Sequence, residues 1–422
     1  MATLSDADVA VASPPSADSS RRERWRFALY AGYLLSLAGL ALSNLLLGAA
    51  VVAFPFLRDR TSEPFRRGKV LLLCAGAYAA LLVVSIALSQ DPRTSFSSTR
   101  ELFTLAAFPL ALAAISSERR LRSLVDALIV MAALVAVFGL AQFLVGYGAI
   151  DRRIRGPFSH VMTFSGVLLL IDVLLLARLV APLARETGVG RWLDRPWVMG
   201  STVALINAAL MQSLTRSAWL GLLSGLGWLL WVRRRRWLLA APVAAALVIL
   251  IAPVPVVARA LSIANLSDES TYDRLCMLEA GWRMTAEHPL VGVGPGLVQR
   301  RYPIYRHPTA TRLNVPHLHN SYVELAAERG VPSLLAFLAL LGVSIHAAWS
   351  GYREELAGGG GRSDLYLGVI AALIAFAVAA LFENNWGDTE VQRLAIFLLA
   401  APFCVRPVAV RAAEGAVASP VP

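Results

Sequence analysis

Residues 123–146 read SLVDALIVMAALVAVFGLAQFLVG, and this stretch decides the fold class. Asp126 is its only charged residue. An α-helix rises about 1.5 Å per residue and a bilayer's hydrocarbon core is about 30 Å thick, so a run of this length and polarity is a membrane span. Working outward, similar apolar blocks fall near 27–41, 43–57, 70–88, 99–115, 158–178, 197–213, 217–232, 237–257, 322–349, 365–383 and 391–405, which makes twelve in all. The composition agrees. Of the 422 residues, 57% are hydrophobic and 16% charged, with a mean hydropathy of +0.61. A soluble domain carries roughly 25% charged residues, and a water-soluble chain of this composition would need an implausibly large core. The sequence predicts an all-α polytopic membrane protein of about twelve transmembrane helices. The weakest division is the first pair, because 27–57 is long for one span and short for two. Both flanks are arginine-rich and should share a side, which requires an even number of crossings.

The net charge of +11 raises the question of nucleic acid, but the cations sit in short loops between apolar blocks and read as topology signals. No nucleic-acid partner is expected. Lys69 is the only lysine. With the N-terminus inside, the inner loops hold Arg58, Arg60, Arg66, Arg67 and Lys69, then Arg119, Arg120 and Arg122, then Arg178, Arg185, Arg191 and Arg195. The run Arg233 to Arg236, and Arg353, Arg362, Arg406 and Arg411, complete the set without breaking parity. The organisation expected is a disordered cytoplasmic tail over 1–26, spans one to nine over 27–257, a large outer segment over 258–321, spans ten to twelve over 322–405 and a cytoplasmic tail over 406–422. The first helix reads as retained rather than cleaved, for want of a small-residue cleavage site. Cys74, Cys276 and Cys404 are far apart and fit neither a disulfide framework nor a zinc spacing.

The outer segment contains Ser270-Thr271-Tyr272-Asp273, which resembles a capping box, followed by Leu275, Leu278 and Trp282 at helical spacing. An amphipathic helix on the membrane surface is expected there, ended by His288-Pro289 and a turn through Gly292, Gly294 and Gly296. The informative residues are cations on the wrong side. Arg152, Arg153 and Arg155 lie in a short outer loop, Arg216 at the outer start of span eight, and Arg259, Arg274, Arg283, Arg300, Arg301, Arg306 and Arg312 in the large segment. Arginine in short translocated loops opposes the insertion bias, so something should compensate. An anion held bidentately by guanidinium groups would do so, as would local acids or lipid headgroups. In Ser213-Leu214-Thr215-Arg216-Ser217 the hydroxyls can cap the first turn of span eight. The positive end of that helix, with Arg216, would attract a diphosphate.

The segment Asn314-Val315-Pro316-His317-Leu318-His319-Asn320-Ser321-Tyr322-Val323-Glu324 holds two of the six histidines. Ser321 and Glu324 read as another capping box, so a helix should begin near Ser321 with His319 just ahead of it. A helix N-terminus disfavours imidazolium, which fits His319 to accept a proton; a loop-bonding role is the alternative. No third ligand stands at a recognisable spacing from His317 and His319, so no metal site is expected. The interior shows few ionisable groups: Asp126, Asp172, and Arg100, Glu101 and Glu383 near outer ends. Coupled transporters concentrate such groups near the midplane, so chemistry at the outer face is favoured over transport.

The run Leu214-Thr215-Arg216-Ser217-Ala218-Trp219, the stretch His288-Pro289-Leu290-Val291-Gly292-Val293-Gly294, and His319-Asn320 followed after nine residues by Gly330 together resemble the superfamily of O-antigen ligases and polymerases. Ser333 stands where the ligase signature more often has Gly, Thr or Tyr. The motifs cover about 213–333. The resemblance implies a bacterial inner-membrane enzyme, working at the periplasmic face without a metal or other cofactor. A ligase of this kind moves a glycan from undecaprenyl diphosphate to lipid A–core with inversion. Carried over residue by residue, His319 matches the family's essential histidine, Arg216 its arginine at the helix start and Arg274 its arginine in the large loop. The topology argument adds Arg152, Arg153 and Arg155 as diphosphate ligands, and Asn320 and His317 would orient His319 or contact sugar. A polymerase, which adds the same donor to another lipid-linked glycan, is the nearest alternative, and a polyprenyl-lipid or solute transporter a more distant one.

Overall fold

A computed structural model describes residues 17–57, 63–147, 152–181, 190–240, 252–261, 269–357 and 363–404, with residues 242 and 250 besides. Among these residues every regular element is a helix. Those that build the bundle are α1 (Ala17–Leu35), α2 (Leu40–Leu57), α3 (Lys69–Ala87), α4 (Arg100–Leu105), α5 (Ala107–Ala114), α6 (Glu118–Leu144), α7 (Val161–Val180), α8 (Pro196–Gln212) and α9 (Arg216–Arg233). They continue with α10 (Glu269–Glu287), α11 (Val298–Tyr305), α12 (Ser321–Ala357), α13 (Ser363–Ala379) and α14 (Thr389–Cys404). Five of them, α2, α3, α6, α7 and α12, are long and apolar enough to cross a membrane, and α13 is a shorter apolar helix. Outward faces carry Leu45, Val52 and Phe56 on α2 and Leu134, Val137, Phe138 and Leu144 on α6, all exposed. Rows of large exposed apolar side chains suit a lipid solvent and not water.

Helix α7 is the hub and is buried along almost its whole length. Helix α13 packs between α7 and α9. It can do so because Gly221 and Gly225 of α9 let the backbones meet. A Cβ at Gly221 would lie 2.7 Å from the Ala375 carbonyl oxygen, and one at Gly225 would lie 2.9 Å from that of Ala371. Glycines one turn apart against an alanine-rich helix give van der Waals contact that larger residues would prevent.

The first apolar stretch divides as expected, into α1 and α2 joined through residues 36–39. The carbonyls of Tyr33, Ser36 and Leu37, freed by that break, accept hydrogen bonds of 3.0 to 3.1 Å from the guanidinium of Arg393, which also meets the Ser43 hydroxyl. Arg393 is 1% exposed within α14 and was not among the ionisable groups counted in the interior. Helix α1 begins at Ala17 rather than near 27, its first turns held by an Asp18–Arg22 pair at 2.7 Å. The fourth apolar block, 99–115, holds two helices, α4 and α5. Pro109 offers no N–H to the Leu105 carbonyl, and the ladder breaks at Ala106. Residues 1–16 and 405–422, and within the ninth apolar block residues 241, 243–249 and 251, lie outside the described residues; α-helix is present over Val254–Leu261.

At one end of the bundle Arg178 bridges Asp126 at 2.6 Å and Asp194 at 2.5 Å, and Arg122 pairs with Asp364 at 2.9 Å. At the other end Glu101 pairs with Arg329 at 2.7 Å and accepts from Tyr78, Trp386 and Gln392, tying α3, α4, α12 and α14 together. Substituting Gly225 with Leu should overpack the α9–α13 contact and destabilise by about 1–3 kcal/mol or more. Gly227, whose Cβ would meet nothing within 4 Å, should accept Leu. Thermal unfolding of the two purified variants in one detergent checks this; equal melting temperatures would refute the close-packing account.

Candidate active site

The site is built on an interruption in α12. Gly330 has φ 80 and ψ 164, and Pro332 follows. In a continuous helix the Glu328 carbonyl would accept from residue 332, but proline has no N–H. Gly294 N–H donates to the Glu328 carbonyl at 3.0 Å, and Val293 N–H to that of Ala327 at 2.9 Å. Val331 N–H turns to the Pro289 carbonyl at 2.8 Å. The stretch 289–294 is thus docked on the break. The fit needs glycine on both sides: a Cβ at Gly292 would lie 2.2 Å from Glu328 backbone, and one at Gly330 would lie 2.3 Å from Leu290 backbone. Ser333, the departure from the ligase signature, gives its hydroxyl to the Arg329 carbonyl at 2.8 Å.

Over this base α10 lies with Met277, Ala280 and Met284 packed on Val293, Leu297, Val298, Tyr302, Val315 and Leu318, a small second core. Its outward side leaves Leu275 and Trp282 exposed. The loop reaching α12 ends in a cap that differs from the expected one. Asn320, not Ser321, caps the helix, its Oδ1 accepting from Tyr322 and Val323 N–H at 3.0 Å each. Glu324 turns back to the Leu318 N–H at 2.6 Å, and Ser321 donates to the Glu383 carbonyl at 3.1 Å. The register moves by one residue because the asparagine side chain reaches both free donors. This lock holds His319 at φ 52, the left-handed region that a non-glycine residue adopts only when its surroundings impose it.

His319 then faces Glu383, which stands in the turn after α13. Nδ1 of His319 is 3.0 Å from both carboxylate oxygens, and Nε2 of His317 is 3.0 Å from Oε1. A carboxylate only accepts, so His319 presents Nδ1–H to it, the tautomer whose neutral form carries its lone pair on Nε2. Burial pushes the His317 imidazole down to about 4 against the opposing charge of Glu383, so it is neutral at physiological pH. Burial raises Glu383, but the hydrogen bond from His319 and the influence of the two imidazoles and Arg274 outweigh it, and the carboxyl lies below its ordinary range.

Four arginines gather beside this cluster. Arg153 donates to the Ser213 carbonyl at 2.8 Å and the Thr215 hydroxyl at 2.6 Å. Arg259 reaches the Leu214 carbonyl at 3.4 Å, and Arg216 lies 3.4 Å from the hydroxyls of Ser270 and Thr271. Burial, with the neighbouring Arg259, Arg274 and Arg216 and against Glu383, lowers Arg153 to about 10. The turn that makes this possible puts Leu214 at φ 53. Thr215, expected to cap α9, instead accepts from Arg153 and makes no side-chain cap bond to that helix end.

Two cavities flank the histidines. One of about 150 Å³ is lined by Arg216, Arg274 and His319 together with Leu220, Leu275 and Phe382. The other, about 250 Å³, is polar and opens on His317, with Arg100, Glu324, Asn384 and Gln392 in its wall. Of the residues expected from sequence, His319, His317, Asn320, Arg216, Arg274 and Arg153 come together. Arg152 does not: it lies over the Tyr147 ring at 4.2 Å. Arg155 does not either, and gives its guanidinium to the Ser159 carbonyl at 3.0 Å. Glu383 and Arg259 are new members. Both carried a signal, an acid at a span end and a cation on the wrong side, but nothing in their spacing linked them to His319. The third ligand type missing from the neighbourhood of His317 and His319 in sequence is supplied in space by Glu383.

Helices of this length and apolarity, with a polar site at one end of the bundle, define a multi-pass membrane protein. Residues 201–338, about a third of the chain, match the model of a family described as O-antigen ligase. That segment holds Arg216, Arg274, the docked 289–294 stretch, His319 and Gly330, so the likeness read from those motifs is shown over the part of the chain that carries them; Arg153 and Glu383 lie outside it. No curated protein matches the chain.

Changing Gly330 to Ala should forfeit both the break and the docking of 289–294, with a large loss of folded yield. Gly342, with open space around it, should tolerate the same change. Size-exclusion profiles of the two variants decide it; a monodisperse Gly330→Ala protein melting with the wild type would overturn the docking argument.

Proposed function

We propose that this protein is an O-antigen ligase, an inverting glycosyltransferase that moves a glycan from undecaprenyl diphosphate to lipid A–core in lipopolysaccharide biosynthesis. In this reading it crosses the bacterial inner membrane about twelve times, with both termini in the cytoplasm and the site facing the periplasm. The observation that carries the proposal is the meeting of Arg153, Arg216, Arg259 and Arg274 at the start of α9, where Thr215 makes no cap bond, beside the His319–Glu383 pair. The family match over residues 201–338 supports it.

The diphosphate lies at the N-terminus of α9. There the helix dipole and the guanidinium groups stabilise it, and they stabilise more strongly the charge that grows on it as the glycosidic C–O bond breaks. Arg153 positions this end through Ser213 and Thr215 and adds its own charge. Leu220, Leu275 and Phe382 give the adjoining wall an apolar character suited to a prenyl tail. Neutralised in this way, diphosphate leaves without being protonated, and no metal takes part. On the opposite side the polar cavity by His317 receives the acceptor sugar. At about 250 Å³ it is below the size of a drug-sized site and suits one sugar ring rather than an oligosaccharide. His319 Nε2 takes the proton of the acceptor hydroxyl while that oxygen attacks the anomeric carbon from the face away from the diphosphate. Glu383 fixes the tautomer that leaves Nε2 free and stabilises the imidazolium that forms, and His317 helps hold the carboxylate.

Arg216→Ala should abolish transfer while the protein still folds and inserts; near wild-type ligation would sink the diphosphate assignment. Glu383→Gln should lower the rate by roughly 10²-fold or more, because an amide no longer dictates the His319 tautomer. In vitro transfer from lipid-linked glycan to lipid A–core measures both. Deleting the gene in its host should leave lipid A–core bare while long chains collect on the carrier lipid. Lipid A–core bearing a single repeat unit would instead mean that polymerisation had failed, and that the chain is a polymerase.

A further inference from the structure

We propose that His317, His319 and Glu383 form a binding site for one zinc ion, and that filling it silences the transfer reaction. The second half rests on the function proposed above; the first does not. The ligand atoms form a nearly equilateral triangle: His317 Nε2 to His319 Nδ1 is 3.3 Å, and each nitrogen is 3.0 Å from Glu383 Oε1. Zinc bonds nitrogen and carboxylate oxygen at about 2.0–2.2 Å in tetrahedral array, which sets neighbouring ligand atoms roughly 3.3–3.6 Å apart. The triangle is therefore one face of a zinc tetrahedron, closed to within a few tenths of an ångström.

The same atoms crowd one side of the carboxylate. His317 Nε2, His319 Nδ1 and the Asn384 N–H, at 3.1 Å, all converge on the single oxygen Oε1. An ionised carboxylate oxygen offers about two acceptor sites, and with all three donors on Oε1 the His319 donor is the one that Oε2, also at 3.0 Å, can accept. One ion in place of the two imidazole protons would bind all three groups at once. The fourth position has access, since His317 and His319 each line a cavity and keep 29% and 16% of their side-chain surface. Two imidazoles with one carboxylate select zinc over magnesium or calcium, which prefer all-oxygen shells. Arg153 and Arg274 lie near enough to influence Glu383 and His317 and repel a dication, so the ion is held reversibly rather than as a permanent structural element.

Silencing follows from proton arithmetic. The reaction needs His319 with its proton on Nδ1 and its lone pair on Nε2. Zinc takes the lone pair of Nδ1, the imidazole stays neutral, and its one proton then resides on Nε2. No proton is released overall, but the atom facing the acceptor hydroxyl becomes a donor and can no longer act as a base. Zinc also withdraws the Glu383 charge that would stabilise an imidazolium.

The test uses the full chain, purified and chelator-stripped in lipid nanodiscs. Cobalt(II), a spectroscopic stand-in, should bind at one equivalent with the intense visible absorption of a tetrahedral ion, and zinc should displace it. His317→Ala, His319→Ala and Glu383→Gln should each weaken zinc by more than the roughly 10–100-fold that loss of a supporting second-sphere group costs. His288→Ala and His307→Ala should bind as wild type does. In parallel, saturating zinc should lower glycan transfer at least tenfold, excess EDTA should restore it, and magnesium should do neither. Absence of a stoichiometric site, or zinc binding that survives loss of His317, overturns the site. Transfer abolished by EDTA and restored by zinc overturns the silencing. The Arg216→Ala protein separates the two readings, because it should bind zinc normally whatever its activity.

Discussion

Inside a bilayer a carbonyl released from its helix has no water to bond, so each break in a buried helix must bring its own donor. This constraint organises the molecule. Between α1 and α2 the donor is Arg393, delivered from α14 to the carbonyls of Tyr33, Ser36 and Leu37. In α12 the break is deeper, because Pro332 cannot serve the Glu328 carbonyl, and the donors are the backbone N–H groups of Val293 and Gly294. The second solution fixes where the large segment sits. Once 289–294 is docked, α10 is drawn over α12, Leu318 is buried beneath it, and the histidines are set against the turn after α13.

The site inherits its asymmetry from that arrangement. One side is apolar and arginine-lined and the other is polar, with a carboxylate and two imidazoles between them. Two left-handed residues mark its edges, Leu214 before α9 and His319 before α12. Each costs on the order of 1–3 kcal/mol and survives only because neighbouring contacts over-determine it. At Leu214 these are Arg153 and Arg259 on the adjacent carbonyls; at His319 they are the Asn320 cap and the Glu324–Leu318 bond. In the function proposed, a base and an anion cradle held this way would need little reorganisation at the moment of reaction, which is how electrostatic catalysis gains over water.

Much was legible in the chain because the physics is local. A run such as 123–146 has to be a helix in lipid whatever surrounds it, and the positions of α2, α3, α6, α7, α8, α9, α13 and α14 follow from such runs. Arg216, Arg274 and His319 could be singled out because arginine on the wrong side of the charge pattern and histidine beside a helix start are both anomalies that sequence alone displays. The Arg152–Arg153–Arg155 cluster was legible only as a group. Three neighbouring residues of a short loop point in different directions, and nothing in their order says that Arg153 turns inward to Ser213 while Arg152 stacks on Tyr147.

The sequence by itself determined the solvent, the helical class, the approximate ends of most helices, and the residue types at which chemistry is concentrated. These depend on hydrophobic length and on charge, which are properties of contiguous segments. Tertiary structure alone decided which distant groups share a site. Glu383 meets His319 across more than sixty residues of chain, Arg259 joins Arg153, and Asn320 rather than Ser321 takes the cap. It also turned two histidines with no third ligand in sequence into a three-sided cluster. A contact between segments depends on how helices cross and where they break, and the crossing is set by glycines such as Gly221, Gly225 and Gly330 whose partners no local pattern names.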